Sequence, residues 1–555
     1  MIKKKHLWAV SILLLCTSTD LIGQVKDSTQ NEEFAFEVNY KPILAESKRM
    51  EETPVIKKEK AQKPDFNYLV VPIQFQTNKI VHTLPPINHK FKIKDTVNGN
   101  YAKFGMGNIN GILGELYLGN KKDEKYGYGV YYNHYSGKES KTPQSMGQNN
   151  AVLFGNVFTK KIKYGASFEY LRTKNHYYGF NPDSVLNDQD DNLKNFTNSY
   201  GIKSYISGTK PNKFGYSIEN HIDFHYFDTE LGMKESYYAV QSKVSKKFVN
   251  KINGSLDFGV NYTNNDNGID TSDVLRRRLS FRFRPNARYS MGKHTFNAAL
   301  NTIITNANNT NHKLLIFPQV YYNYEIVKEE LNVFASLTGD VKEYTYKEMF
   351  GINPFINSNS FLKNEVTSWK VSGGLQGKIG PKSNFGIELG IKRMSNYLMF
   401  INNKDSFNRF TPISNNGNIT FVKANVDYSV LKKLRLGLGI NFSDYNFDDD
   451  FDLGTTAFGL PTLVLDLYGQ YKLGNKLMVK LGVTTLGSRE QMNFNSNKEI
   501  VTLNSYTDLN LGLEYFYKKF SFFVQGNNLL GQTYERYYNY DSFGLNILGG
   551  ITARF

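Results

Sequence analysis

The sequence predicts an all-β protein, a transmembrane antiparallel β-barrel of about 22 strands with a short N-terminal periplasmic segment. Three observations carry this expectation. From residue 98 onward, segments alternating apolar and polar residues recur between polar connections. They run to about 9–11 residues, a membrane-crossing length, where ordinary strands average about 5–6. The chain also ends on such a segment, Phe543 to Phe555. Its odd positions read Phe, Leu, Ile, Gly, Ile, Ala, Phe, and its even ones are small or polar except Leu548. In a strand these two sets face opposite sides, one fit for hydrocarbon and one for water. Finally, 38 Tyr and 40 Phe stand against 2 Trp, with 45 Gly and only 15 Pro among 555 residues. That composition suits strands and interfacial aromatic girdles. The mean hydropathy of −0.46 agrees, because a barrel strand offers only alternate residues to lipid.

The N-terminus reads as a signal peptide over residues 1–23. Lys3, Lys4 and Lys5 precede an apolar run from Leu7 to Leu15, and Gly23 stands before Gln24. The only cysteine, Cys16, falls inside it, and Leu15 fits a lipidation site poorly, so the mature chain is expected to carry no thiol chemistry. Export also excludes nucleic acid as the partner of the +16 net charge. A solvated surface or an anion-attracting lumen remains.

Residues 24–97 differ from the rest and read as a periplasmic or lumen segment of little independent fold. Val38 to Tyr40 suggests a short strand and Ile43 to Glu52 a short helix. Lys57 to Pro64 is a charged linker, and Pro85-Pro86 is extended.

The barrel is expected over 98–555. Alternation is cleanest at Phe385–Ile391, Leu434–Phe442, Leu463–Leu467, Leu477–Val483, Leu509–Tyr515, Phe520–Val524 and the closing segment. Short links at 429–433, 472–476 and 517–519 read as periplasmic turns. Polar stretches at 181–195, 263–275, 344–364 and 403–418 read as extracellular loops. On the closing strand, Ile551, Ala553 and Phe555 form the lipid-side set that closes the sheet.

These residues carry a resemblance. Phe522 to Glu535, with Asn527-Asn528-Leu529 before Tyr534-Glu535, resembles the penultimate strand of TonB-dependent receptors; Tyr540, Phe543, Gly544 and terminal Phe555 continue the likeness. Leu362-Lys363-Asn364-Glu365 resembles that family's Leu-Lys-Pro-Glu, and Ile413 to Thr420 its passage from loop to strand. Gly105-Met106-Gly107-Asn108 through Glu115-Leu116-Tyr117-Leu118 is similar to plugless receptor-like barrels of Bacteroidota. The resemblance implies the cell outer membrane, contact with its lipid, and transport of solutes rather than enzyme activity. The alternative it leaves is a structural or assembly subunit of an envelope complex with an occluded lumen, which would bring an envelope protein partner. The N-terminal segment is shorter than the family's plug. Although Glu52-Thr53-Pro54-Val55-Ile56 resembles a TonB box, coupling to TonB is not expected.

An unplugged barrel of this size would leave a wide aqueous hole. Loops, the N-terminal segment or a partner must limit it. The candidate functional feature is a basic ladder, Arg276, Arg278, Arg282, Arg284 and Arg288, opposite Leu279, Phe281 and Phe283. A charge on the lipid face costs about 2–4 kcal/mol at the midplane, so the arginines are expected in the lumen. There they can attract anions or pair with carboxylates such as Asp466, Glu514 or Glu388. His221, Asp223 and His225 are metal-ligand types on one strand face, but same-face neighbours lie about 7 Å apart, and no metal is expected. Acidic runs at 188–192, 265–270 and 448–452 lack full calcium-loop spacing and read as solvated loops. No nucleophile elbow, phosphate loop or zincin helix is present, and no cofactor is expected.

Overall fold

The structure is a computed structural model that describes residues 99–120, 125–139, 144–179, 193–249, 251–266, 277–306, 313–357, 362–380, 382–402, 408–429, 433–449, 454–493 and 499–555. The signal peptide and the 24–97 segment lie outside these residues.

Twenty-two strands form one antiparallel sheet, each paired with its sequence neighbour apart from two interruptions by small hairpins. One is Arg489–Asn493 with Glu499–Leu503, between Leu477–Leu486 and Tyr506–Tyr517. The other is Glu535–Tyr537 with Tyr540–Asp541, between Phe520–Asn527 and Asn546–Arg554. The sheet closes on itself: Tyr101–Gly107 pairs with Asn546–Arg554, with Ala102 opposite Ala553 and Phe104 opposite Ile551.

Closure explains the residue pattern. The outward face is apolar and unpaired within the protein: Phe104, Ile222, Phe283, Leu389, Val524 and Ile551 all stand exposed. The inward face carries polar side chains such as Lys103, Glu115, Ser372, Asn510 and Thr552, all buried. An apolar exterior around a polar interior is the transmembrane arrangement of a barrel. Among the described residues, no helix is long and apolar enough to cross a membrane.

One end of the barrel has short turns. Gly474 turns there at φ +61° and Lys518 at φ +51°. Glycine takes the left-handed region freely, whereas for other residues it costs about 1–2 kcal/mol. Both chain ends of the sheet lie at this rim, where the Phe555 N–H donates to the Asn100 carbonyl at 2.9 Å. Short turns mark the periplasmic rim, and the longer connections mark the extracellular one.

Several expected loops are partly strand. The stretch 403–418 is strand from Phe410 onward, because Asn384–Asn402 and Phe410–Tyr428, 19 residues each, continue their ladder beyond the membrane level. The stretch 263–275 is strand up to Asp266. The stretch 344–364 holds a short helix, Tyr346–Ile352. Leu548, the apolar exception in the closing strand, is buried on the lumen side against Leu113 and Phe523.

The seam depends on small residues. A Cβ at Gly550 would collide with the Phe104 carbonyl and come within 2.7 Å of the Phe523 ring. Replacing Gly550 with Leu is therefore expected to abolish the heat-modifiable folded form on gels. Deleting Phe555, whose side chain is 61% exposed on the lipid-facing set, is expected to lower outer-membrane levels. Wild-type levels and mobility for both variants would mean that the seam tolerates what its geometry forbids.

Candidate functional site

The lumen wall is a mosaic of ion pairs. Glu514 receives Arg554 at 2.9 Å, Lys480 at 3.4 Å and the Ser521 hydroxyl at 2.7 Å. Lys103 lies 3.8 Å from Glu115 and 4.4 Å above the Phe523 ring. Lys203 is bound to Glu169, and Lys370 to Glu388 at 2.6 Å.

The arginine-bearing strand, Arg277–Met291, turns Phe281 and Phe283 outward, 39% and 48% exposed. The arginines on its other face have different surroundings. Arg284 binds Asp257, its register partner on the neighbouring strand, at 2.6 Å, and Arg282 binds Asp340 at 2.7 Å. Arg288 is exposed. Arg278 is buried and donates to the Tyr344 carbonyl at 2.6 Å and to Asn364 Oδ1 at 3.3 Å. It thus brackets the beginning and the end of one extracellular loop. Arg276 lies outside the described residues.

His221, Asp223 and His225 share a strand but have separate neighbours. His221 lies against the Tyr205 ring, while His225 stacks on Tyr237 and places Nε2 3.3 Å from Glu235 Oε1. No group of three metal-ligating side chains occurs among the described residues. Of the acidic runs, 188–192 lies outside the described residues. Asp448 is gripped by both terminal nitrogens of Arg393, whose hydrogen bonds hold its carboxyl below the usual range.

The most developed site is at the mouth. The loop between Leu331–Lys342 and Glu365–Lys378 carries the helix Tyr346–Ile352. It begins at Thr345, whose hydroxyl accepts the Glu348 N–H while Glu348 reaches back to the Thr345 N–H. This reciprocal cap satisfies two of the helix's free donors. A third, the Tyr346 N–H, is taken at 2.7 Å by buried Glu235 from a strand on another part of the wall. Met349 and Phe350 pack on Phe227 and Met233. Burial there pushes the Tyr346 hydroxyl up to about 12 and the Lys347 amine down.

Beyond the helix, loops from distant parts of the rim meet. They follow the fifth, thirteenth, fifteenth and twenty-first strands of the twenty-two. Phe355 stacks on Tyr540 with ring centres 3.6 Å apart, and Tyr177, Tyr178 and Tyr537 meet its edges. Hydrogen bonds tie the same segments: Tyr178 to the Asp541 carbonyl at 2.7 Å, Tyr537 to the Ile352 carbonyl, and Tyr540 to the Asn408 carbonyl. A two-bond bridge joins Phe410 to Phe355 and Asn357, each at 2.8 Å. Arg489, from the loop after the nineteenth strand, donates to the Glu535 and Arg536 carbonyls, both at 2.8 Å. Desolvation raises the hydroxyls of Tyr177 and Tyr540 far above their ordinary value.

Sequence reasoning assigned none of these residues to a mouth site. The Thr345-x-x-Glu348 spacing was a readable helix start. The aromatic junction had no local signal.

No protein-family model and no curated protein matches the chain. Solved structures do match. The ferripyoverdine receptor of the outer membrane of Pseudomonas aeruginosa, bound to ferripyoverdine, aligns over 83% of this chain and 72% of its own at 12% identity, TM-score 0.60. The ferric-catecholate import receptor Fiu from E. coli K12 aligns over 83% and 82% at 10% identity, TM-score 0.61. The FrpB iron transporter from Neisseria meningitidis, F5-1 variant, aligns over 82% of each chain at 9% identity, TM-score 0.63. At these identities the likeness establishes the fold, the 22-strand barrel of TonB-dependent receptors. The closed barrel with its apolar belt is an outer-membrane protein.

The arginines are expected to separate on mutation. Arg278→Ser removes hydrogen bonds from a buried charged group, at a cost of about 1.5–3 kcal/mol each. It should expose the 343–364 loop to protease. Arg282→Ser with Arg284→Ser should leave that loop protected. Equal protection in both variants would show that Arg278 does not hold the loop.

Proposed function

We propose that the protein is a receptor-like outer-membrane barrel that passes a solute across the outer membrane, with its own extracellular loops, rather than a full plug, limiting the pore. The observation that carries this is the junction of Phe355, Tyr540, Tyr177 and Tyr537. Loops rooted far apart on the rim can meet this way only by reaching over the mouth. Barrels of this strand number otherwise leave a lumen that needs filling. The polar, ion-paired wall beneath is the lining expected of an aqueous path rather than of a packed core. In this reading residues 1–23 direct export, 24–97 stay periplasmic or enter the lumen, Ile551, Ala553 and Phe555 close the sheet, and TonB is not required. The arginines Arg276 to Arg288 supply an electropositive wall, moderated where Asp257 and Asp340 pair with them. The protein acts as no enzyme in this reading, in line with neighbours that are receptors and transporters.

The same junction favours a second reading. Loops held by stacked rings and by hydrogen bonds to backbone carbonyls are also what a permanently occluded assembly subunit would have. Single-channel recording separates the two. Phe355→Ala with Tyr540→Ala removes the central stack, and the transport reading expects this variant to conduct steadily where the parent is closed or flickers. Arg282→Ser with Arg284→Ser in that open background should lower anion preference, measured by reversal potential. The effect should shrink at high salt, where the screening length falls to about 3 Å at 1 M. Silence in parent and variant alike, with both folded, would move the assembly-subunit reading ahead.

A further inference from the structure

A second basic patch lies in the lumen away from the arginine ladder, on the strands Glu365–Lys378, Asn384–Asn402 and Phe410–Tyr428. Lys370 and Lys392 are directly opposite one another in the strand register, and Lys423 is opposite Glu388. Like charges placed directly across a sheet destabilise it. Here the pair is kept at membrane level, since Val371, Leu389, Ile391 and Val422 on the reverse face are exposed to lipid.

The patch is short of carboxylates. Lys370 binds Glu388 at 2.6 Å, but among the described residues Lys392 and Lys423 meet ring faces rather than a carboxylate of their own. Lys342, on the adjoining strand opposite Glu365, extends the run. Four ammonium groups therefore face two carboxylates, Glu365 and Glu388. Glu365 already accepts the Tyr344 hydroxyl at 3.0 Å.

The floor between the lysines is shaped. Gly390 and Phe421 are register partners, and Phe421 is buried. A Cβ on Gly390 would come within 2.8 Å of the Phe421 ring and 2.7 Å of the Ser372 Cβ, so only glycine lets the ring lie over the strand. Lys370 and Lys423 hold their ammonium groups 5.0 and 5.3 Å from that ring's centre, and Lys392 holds its own 5.5 Å from the Tyr397 ring. Ring faces attract cations, but they cannot neutralise them as an anion does.

We propose that Lys370, Lys392 and Lys423 form a lumen binding site for a phosphoryl group on a transported solute. The excess of two positive charges matches the charge of about −1.5 to −2 that a phosphate monoester carries at pH 7. Lysines act as separate point charges that can surround a tetrahedral oxyanion, whereas flat bidentate carboxylate recognition favours arginine. Phe421 is buried beneath Lys370 and Lys423 and serves as the floor that holds their ammonium groups in place. Only the passage of the solute, and not its binding, rests on the transport reading.

The test uses the full-length protein in detergent, with inorganic phosphate as probe, titrated calorimetrically at constant ionic strength against chloride. The unmodified protein should bind phosphate in preference to chloride. Lys392→Gln with Lys423→Gln should weaken that binding by about tenfold or more, a loss of roughly one charge-assisted contact or greater. Lys203→Gln with Lys243→Gln removes equal charge from the strands Lys194–Gly208 and Lys234–Val249, away from the patch, and should leave binding within about twofold, as distant charges are screened. Glu388→Gln should tighten binding. No phosphate binding by the unmodified protein, or equal losses in the two double variants, overturns the site. The first measurement needs no variant, so misfolding of a mutant cannot shelter the proposal. A barrel that binds phosphate but stays silent with its mouth opened would sink the transport reading and leave the site standing. One that conducts but fails to bind would do the reverse.

Discussion

The ladder between Tyr101–Gly107 and Asn546–Arg554 joins the first strand of the sheet to its last, and hydrocarbon makes it compulsory. A backbone N–H or C=O left unpaired in lipid costs several kcal/mol, so a sheet can cross the membrane only if it has no edge. Both sides of the wall follow from that closure. Alternate residues must be apolar because they meet lipid, and the intervening ones are free to be charged because they meet water. The seam itself is tight: Gly105 and Gly550 face each other across it, and Phe523 and Leu548 fill the space above them on the lumen side.

Closure by the sheet leaves the interior to be organised by other means. The wall does so through ion pairs between neighbouring strands, and the mouth through contacts between loops. Glu235 links the two levels. It projects from the wall, meets His225 on the next strand, and takes the first free amide of the helix Tyr346–Ile352. A buried carboxylate placed against helix amides and an imidazole has its lone pairs occupied by donors, which is what makes its burial tolerable. The helix then presents Met349 and Phe350 to the aliphatic and aromatic side chains of the opposite turn.

The alternation made the barrel legible from residues alone, including its strand count, because lipid imposes a period of two on every crossing. Legibility stopped where lipid stops. Ser414, Asn415, Asn416, Gly417 and Asn418 read as a loop because none of them is apolar, yet they are strand: above the membrane a paired strand needs no greasy face. The same limit hid the mouth. Phe355, Tyr540 and Tyr177 are ordinary loop aromatics in sequence, and their meeting depends on where the intervening strands place each loop root. The arginine ladder lay between these cases. Its face followed from Phe281 and Phe283, but the partners Asp257 and Asp340 could not be picked from the chain's 51 acidic residues without the register.

Beside the backbone bridge at Phe410, five side-chain hydrogen bonds across the mouth share one property. Tyr178 reaches the carbonyl of Asp541, Tyr537 that of Ile352, Tyr540 that of Asn408, and Arg489 those of Glu535 and Arg536. Each donor is a side chain and each acceptor is main chain. A carbonyl is the same group whatever residue carries it, so half of every such bond is indifferent to mutation. A handful of tyrosines and one arginine can therefore keep the loops together even where the residues that carry the accepting carbonyls change.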